Sequence, residues 1–124
     1  MPWELRSDRP IYTQLIEKIE QKIYSGVYPP GTKIPPVREL AQEASVNPNT
    51  MQRALARLEE IGLLYTHRTS GRFVTEDTAL IKQLKNRLVQ EQVRDFLEKM
   101  QQLGFGRDEI LTAISKIMEE NKDE

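Results

Sequence analysis

Three side chains between residues 49 and 53 have the chemistry to read a base. Asn49 and Gln52 each carry a carboxamide, a donor and an acceptor side by side, and Arg53 carries a planar fork of donors. Carboxamides pair with adenine edges and guanidinium groups with guanine edges, and the small Ala56 beside them allows close approach. A second group occupies residues 67–72. His67, Arg68 and Arg72 surround Gly71, and no acidic residue occurs from Leu63 to Thr75. Cationic side chains on such a stretch suit phosphates or a minor groove. Arg38, just after Pro35 and Pro36, is a third candidate, for a phosphate contact that fixes register. Each group also has an ordinary alternative: a solvated helix face, a basic loop, and an ion pair of Arg38 with Glu39 or Glu43.

The elements that must position these residues are legible from apolar spacing. Pro10 suits a first helical position, and Tyr12, Leu15, Ile16, Ile19 and Ile23 recur at three and four residues, so a first helix ends at Ser25-Gly26. Tyr28-Pro29-Pro30-Gly31 is a stiff turn, and Lys33-Ile34 is short enough for only a minimal strand. Pro35 and Pro36 open a second helix with Val37, Leu40, Ala41 and Ala44 on one face. Ser45-Val46-Asn47-Pro48 breaks that helix, and a third begins with Asn47 as N-cap and Pro48 in the first turn. At about 100° per residue, Met51, Ala54, Leu55, Leu58 and Ile61 make one stripe, with Asn49, Gln52, Arg53 and Ala56 opposite. Gly62 stops the helix. Leu63–Thr66 and Arg72–Thr75 then read as two strands around a polar tip. Two helices joined by a tight turn, followed by a β-hairpin, are the parts of a winged helix-turn-helix.

The rest of the chain reads as helix. All seven prolines lie in the first 48 residues, so nothing after Asn49 loses a backbone N–H. Leu80, Leu84, Leu88, Val93, Phe96, Met100 and Leu103 fit one helix of about 25 residues, with Gly104 as its stop. A last helix starts near Gly106, has Asp108 and Glu109 in its first turn, and carries Ile110, Leu111, Ile114, Ile117 and Met118. Two such helices leave apolar surface bare. Leu84, Leu88, Val93, Phe96, Met100, Ile110, Ile114 and Ile117 are therefore expected to cover one another across a dimer. The expected fold class is mainly α with a small β-hairpin: a winged helix-turn-helix over residues 1–75 and a C-terminal α-helical hairpin over 76–124.

Composition removes most competitors. The 124 residues hold 18 Lys+Arg, 19 Asp+Glu, one His and no Cys. A zinc site draws on several His and Cys ligands, and nucleophile–base pairs draw on the same types, so no metal, cofactor or enzymatic activity is expected. No run approaches the roughly 18 apolar residues of a membrane span. The start, Met1-Pro2-Trp3-Glu4-Leu5, lacks the basic and apolar regions of a signal peptide, so a cytoplasmic location is expected. Residues 1–75 hold ten basic and eight acidic side chains, and 76–124 eight and eleven. That asymmetry is small. The placement of the charges matters more than their sum.

Pro10-Ile11-Tyr12-Thr13-Gln14-Leu15, Tyr28-Pro29-Pro30-Gly31-Thr32-Lys33-Ile34-Pro35-Pro36-Val37-Arg38-Glu39-Leu40-Ala41, Val46–Leu55, Leu58-Glu59, Gly62-Leu63 and Gly71-Arg72-Phe73-Val74 occur in the order of a known pattern. Over residues 5–76 the chain resembles the N-terminal domain of GntR-family transcription regulators. Its short two-helix tail is similar to that of the YtrA-type subfamily, whose C-terminal helices dimerise without a large effector domain. The resemblance implies DNA contacts from Arg38, Asn47, Asn49, Thr50, Gln52, Arg53 and the wing around His67, Arg68 and Gly71. Two positions depart from it. Pro48 stands where many relatives have Arg, and Thr69-Ser70-Gly71 keeps only the second glycine of a Gly-x-Gly tip. The expected function is a homodimeric repressor on a palindromic DNA operator. The competing reading is a winged-helix protein-interaction module that docks through the C-terminal helices. The residues identify neither a small-molecule effector nor the operator sequence.

Overall fold

The computed structural model describes residues 3–122. The elements run α1 (Ile11–Tyr24), α2 (Val37–Ala44), α3 (Pro48–Glu60), β1 (Leu64–His67), β2 (Gly71–Val74), α4 (Thr78–Gln102) and α5 (Arg107–Asn121). This is mainly α with one β-hairpin, the winged-helix architecture. Pro10 lies just outside α1, at its N-cap, with φ −56° already suited to the helix.

The core follows from the stripes. Leu15, Ile19 and Ile23 of α1, Leu40, Ala41 and Ala44 of α2, and Met51, Ala54, Leu55 and Leu58 of α3 are buried together with Ile34, Leu63, Leu64 and Val74. α3 packs against α1, α2 and β1, so the helix with the base-reading residues is the most firmly seated of the three. One buried polar group ties down the segment before α1. The Gln14 carboxamide accepts from the Arg6 N–H (2.6 Å) and donates to the carbonyls of Arg6 (2.7 Å) and Arg9 (3.1 Å). Its burial is thus matched by bonds at both ends.

The turn between α2 and α3 sets the presentation of α3. Ser45 adopts the left-handed conformation (φ 58°, ψ 47°), and the Val46 N–H donates back to the Ala41 carbonyl at 3.0 Å. The Asn47 side chain then accepts from the Asn49 N–H at 2.7 Å, capping α3, with Pro48 in its first turn. Asn47→Ala should lower stability by about 1 kcal/mol. A shifted urea midpoint at unchanged slope would show this, and an unmoved midpoint would mean that water replaces the cap. At the other end Gly62 has φ 88°, and a Cβ there would lie 3.1 Å from Leu80 Cδ2. Glycine is needed for both backbone and space.

β1 and β2 pair antiparallel in the register Leu64↔Val74, Tyr65↔Phe73, Thr66↔Arg72 and His67↔Gly71. The other edge of β2 is covered by residues 31–34. Gly31 donates to the Val74 carbonyl (3.0 Å), Val74 to Thr32 (2.9 Å) and Ile34 to Arg72 (3.0 Å), with a single bridge at Lys33↔Phe73. The minimal strand expected at Lys33-Ile34 is this bridge.

The chain forms two compact units, one ending at Lys85 and one beginning at Asn86. The first runs past the 75/76 boundary expected from sequence because Ile81 and Leu84, in the opening turns of α4, pack on the winged-helix core. Leu84, expected at a dimer surface, is thus half-buried against the core of the first unit.

Candidate nucleic-acid interface

α3 turns Met51, Ala54, Leu55 and Leu58 inward and leaves Asn49, Gln52 and Arg53 exposed, with Thr50 and Ala56 half-buried. The exposed set is the one an α-helix brings to base edges from its first turns. Asn47 is also exposed, but its Oδ1 is engaged in the cap. Arg38, near the start of α2, is exposed and makes no ion pair among the described residues. The neighbouring carboxylates act elsewhere. Burial, and then the charges of Glu43 and Glu39, push the Tyr28 phenol above its ordinary value.

Arg53 is partly preorganised by α1. Its guanidinium carbon lies 4.8 Å from the centre of the Tyr12 ring, a cation–π contact. The contact limits where the fork can point but leaves its donors free at an exposed position.

The wing departs most from the sequence reading. Thr66 and Arg72 are cross-strand partners on the hairpin face turned to α3, and both reach Glu59. Arg72 Nε donates to Glu59 Oε1 at 2.6 Å, the Thr66 hydroxyl donates to the same oxygen, and Arg72 Nη1 donates to Gln52 Oε1 at 3.2 Å. The Arg72 side chain is only 17% exposed. Burial works to raise the Glu59 carboxyl, and the bonds from Thr66 and Arg72 with the Arg72 charge outweigh it, so Glu59 lies below its ordinary value. Arg72 is therefore an ion-paired strut between β2 and α3, and not the free phosphate-binding charge expected from sequence. The reason is the register, which puts residue 72 on the inner face.

His67 and Arg68 remain exposed at the tip, His67 with its ring edge-on to Phe73 (6.2 Å between centres). The tip is closed by the Ser70 N–H donating to the His67 carbonyl at 3.1 Å. Gly71 has φ 109°, a conformation that other residues rarely adopt, so the second tip glycine has a backbone reason of its own. Arg68→Ala should weaken DNA binding for all sequences and flatten its salt dependence by about one unit of slope. An unchanged slope would remove Arg68 from the interface.

In the second unit, α4 and α5 are joined by a turn in which the Phe105 N–H donates to the Met100 carbonyl at 3.1 Å. Gly106 caps α5, with the Glu109 carboxylate accepting from its N–H at 3.1 Å. Ile110 is 5% exposed and so is packed within one chain, unlike the interface role expected for it. Leu88 and Met100 are half-buried. Val93, Phe96, Ile114 and Ile117 are exposed, as are Leu103, Phe105, Leu111 and Met118. Phe96, Met100, Phe105, Ile110 and Ala113 line an open groove of about 670 Å³.

Sequence reasoning missed Tyr12, Glu59 and Thr66 as partners of the interface. From its spacing Tyr12 reads only as an apolar position of α1. A carboxylate at the next-to-last position of α3 and an arginine on a short strand give no spacing that would pair them.

A family model described as "Bacterial regulatory proteins, gntR family" matches residues 11–74. The HTH-type transcriptional repressor YtrA of Bacillus subtilis is 36% identical over 94 residues, which cover 74% of this chain and 72% of that protein. A GntR family transcriptional regulator from Listeria monocytogenes superposes with a TM-score of 0.86 at 38% identity, over 90% of this chain and 98% of that one. The DNA-binding domain of AraR, solved in complex with operator ORX1, matches at a TM-score of 0.52 and 34% identity, over 60% of this chain and 92% of that one. With the exposed face of α3, the capped turn before it and the wing beside it, these likenesses lead to one conclusion: the chain belongs to the GntR family and is a DNA-binding transcriptional regulator.

Proposed function

We propose that the protein is a homodimeric repressor that binds a palindromic operator in the cytoplasm. The observation that carries this reading is the bare apolar surface of residues 86–124. Val93, Phe96, Ile114 and Ile117 stand in water in a single chain, and several large exposed apolar side chains on one small unit favour an interface. A second copy is the occupant that the groove and the exposed side chains favour, because both occur on the same unit and a twofold axis lets the side chains of each copy cover the groove of the other. The same symmetry places two α3 helices on two half-sites of a palindrome.

Within each half-site, Asn49, Gln52 and Arg53 face base edges, while Arg38, Thr50 and the tip residues His67, Arg68 and Gly71 approach the backbone or minor groove. Asn47 acts mainly by holding the first turn of α3. The repressor assignment is supported by the likeness to YtrA, itself a transcriptional repressor. The cytoplasmic assignment is supported by that family and by the lack, among the described residues, of a helix long and apolar enough to cross a membrane. Footprinting on the DNA upstream of the protein's own gene tests the whole reading. Two protected half-sites about one helical turn, or a small multiple, apart are expected. Protection of a single asymmetric site would overturn the palindromic dimer.

A further inference from the structure

A free glutamine reads adenine by accepting from its N6 amine and donating to N7, which requires both ends of the carboxamide at the base edge. Gln52 is not free. Its carboxamide faces Arg72 Nη1 at 3.2 Å. A guanidinium has donors only, so the atom that faces it must be the oxygen. Arg72 in turn cannot swing aside without leaving Glu59, to which its Nε donates at 2.6 Å and which Thr66 holds from the neighbouring strand. The chain Thr66–Glu59–Arg72–Gln52 thus joins both wing strands to the outward face of α3 and turns Oε1 toward the wing. Oε1 keeps a second lone pair but is turned to the wing, and the end of Gln52 directed away from Arg72 is its NH2 group, which carries two donors and no acceptor.

We propose that Arg72 is a positioning residue that makes Gln52 a donor-only reader, so that Gln52 selects guanine and not adenine. Guanine presents two acceptors, N7 and O6, in the major groove, and one NH2 group can serve both. Adenine presents one acceptor beside a donor, which the NH2 group opposes. The inference rests on Gln52 being a base contact, and the experiment separates the two.

The test uses the full chain and a randomised DNA library, followed by affinities on site variants that differ at one base pair. The position read by Gln52 is the one whose preference disappears in Gln52→Ala. There the parent protein is expected to favour guanine over adenine by about tenfold. Arg72→Met keeps the apolar stem and removes the donors. It should erase or reverse that preference while the salt slope stays at the parent value, because no phosphate contact is lost. A merely structural role would lower affinity at every position alike. Glu59→Gln, which loosens the Arg72 anchor without removing it, should shift the preference in the same direction and by less. That variant carries the test if Arg72→Met does not give the parent's circular dichroism and melting. A parent preference for adenine, or a guanine preference unchanged in both variants, overturns the proposal and leaves Gln52 as a base contact. A Gln52→Ala protein with no altered position overturns both.

Discussion

A chain carrying Ile117→Asp is expected to sediment as a monomer at micromolar concentration and to bind its operator about 10²–10⁴-fold more weakly. Ile117 is 54% exposed, so a carboxylate there leaves the single chain's own packing intact. Across a dimer interface, the same carboxylate would be buried without a partner, which costs several kcal/mol per protomer. Val93→Asp, on α4 at 49% exposure, should act in the same way. Loss of affinity follows from geometry: two linked α3 helices engage two half-sites as one event, and a monomer engages each separately. Circular dichroism should show the helices of both variants unchanged. A parent chain that is itself monomeric under these conditions, or charged variants that remain dimeric, would show that residues 86–124 do not form the dimer. The choice of positions depends on the structure. Ile110 shares the apolar spacing but is buried within one chain, and Leu84 packs in part on the winged-helix core, so charging either would also perturb folding.

The second large effect is expected at Arg53. Arg53→Ala should weaken binding to the specific site by about 1–3 kcal/mol while changing binding to random DNA less, since a bidentate contact to guanine discriminates and a phosphate contact does not. The Tyr12 ring beneath the guanidinium, at 4.8 Å, restricts the fork before DNA arrives and so reduces the entropy lost on binding. Equal losses on operator and random DNA would reassign Arg53 to the backbone. Folding is not at risk, because Arg53 is exposed and its neighbours Ala54 and Leu55 carry the buried face.

Much of the fold was legible because it is written in local periodicity. The apolar spacing of α1, α3 and α4, the Asn47-Pro48 start and the Gly62 and Gly104 stops each depend on residues within one or two turns of one another. The same locality revealed the exposed trio on α3, since the face opposite an apolar stripe needs no knowledge of what covers the stripe. The basic composition of the wing was likewise visible, and so were the ordered blocks that resemble the GntR family.

What only the tertiary structure decided is which partner each outward or inward face meets. Arg72 and Glu59 are 13 positions apart and Arg53 and Tyr12 belong to different helices, so neither pairing has a spacing to betray it. The role of Arg72 turned on strand register, where a slip of one residue would have sent it to the opposite face as a free charge. Leu84 and Ile110 obey the periodicity of their neighbours and yet pack within one chain, while Val93 and Ile117 stay bare. Periodicity fixes that a face must be covered. Only the path of the rest of the chain fixes whether its own residues reach that face.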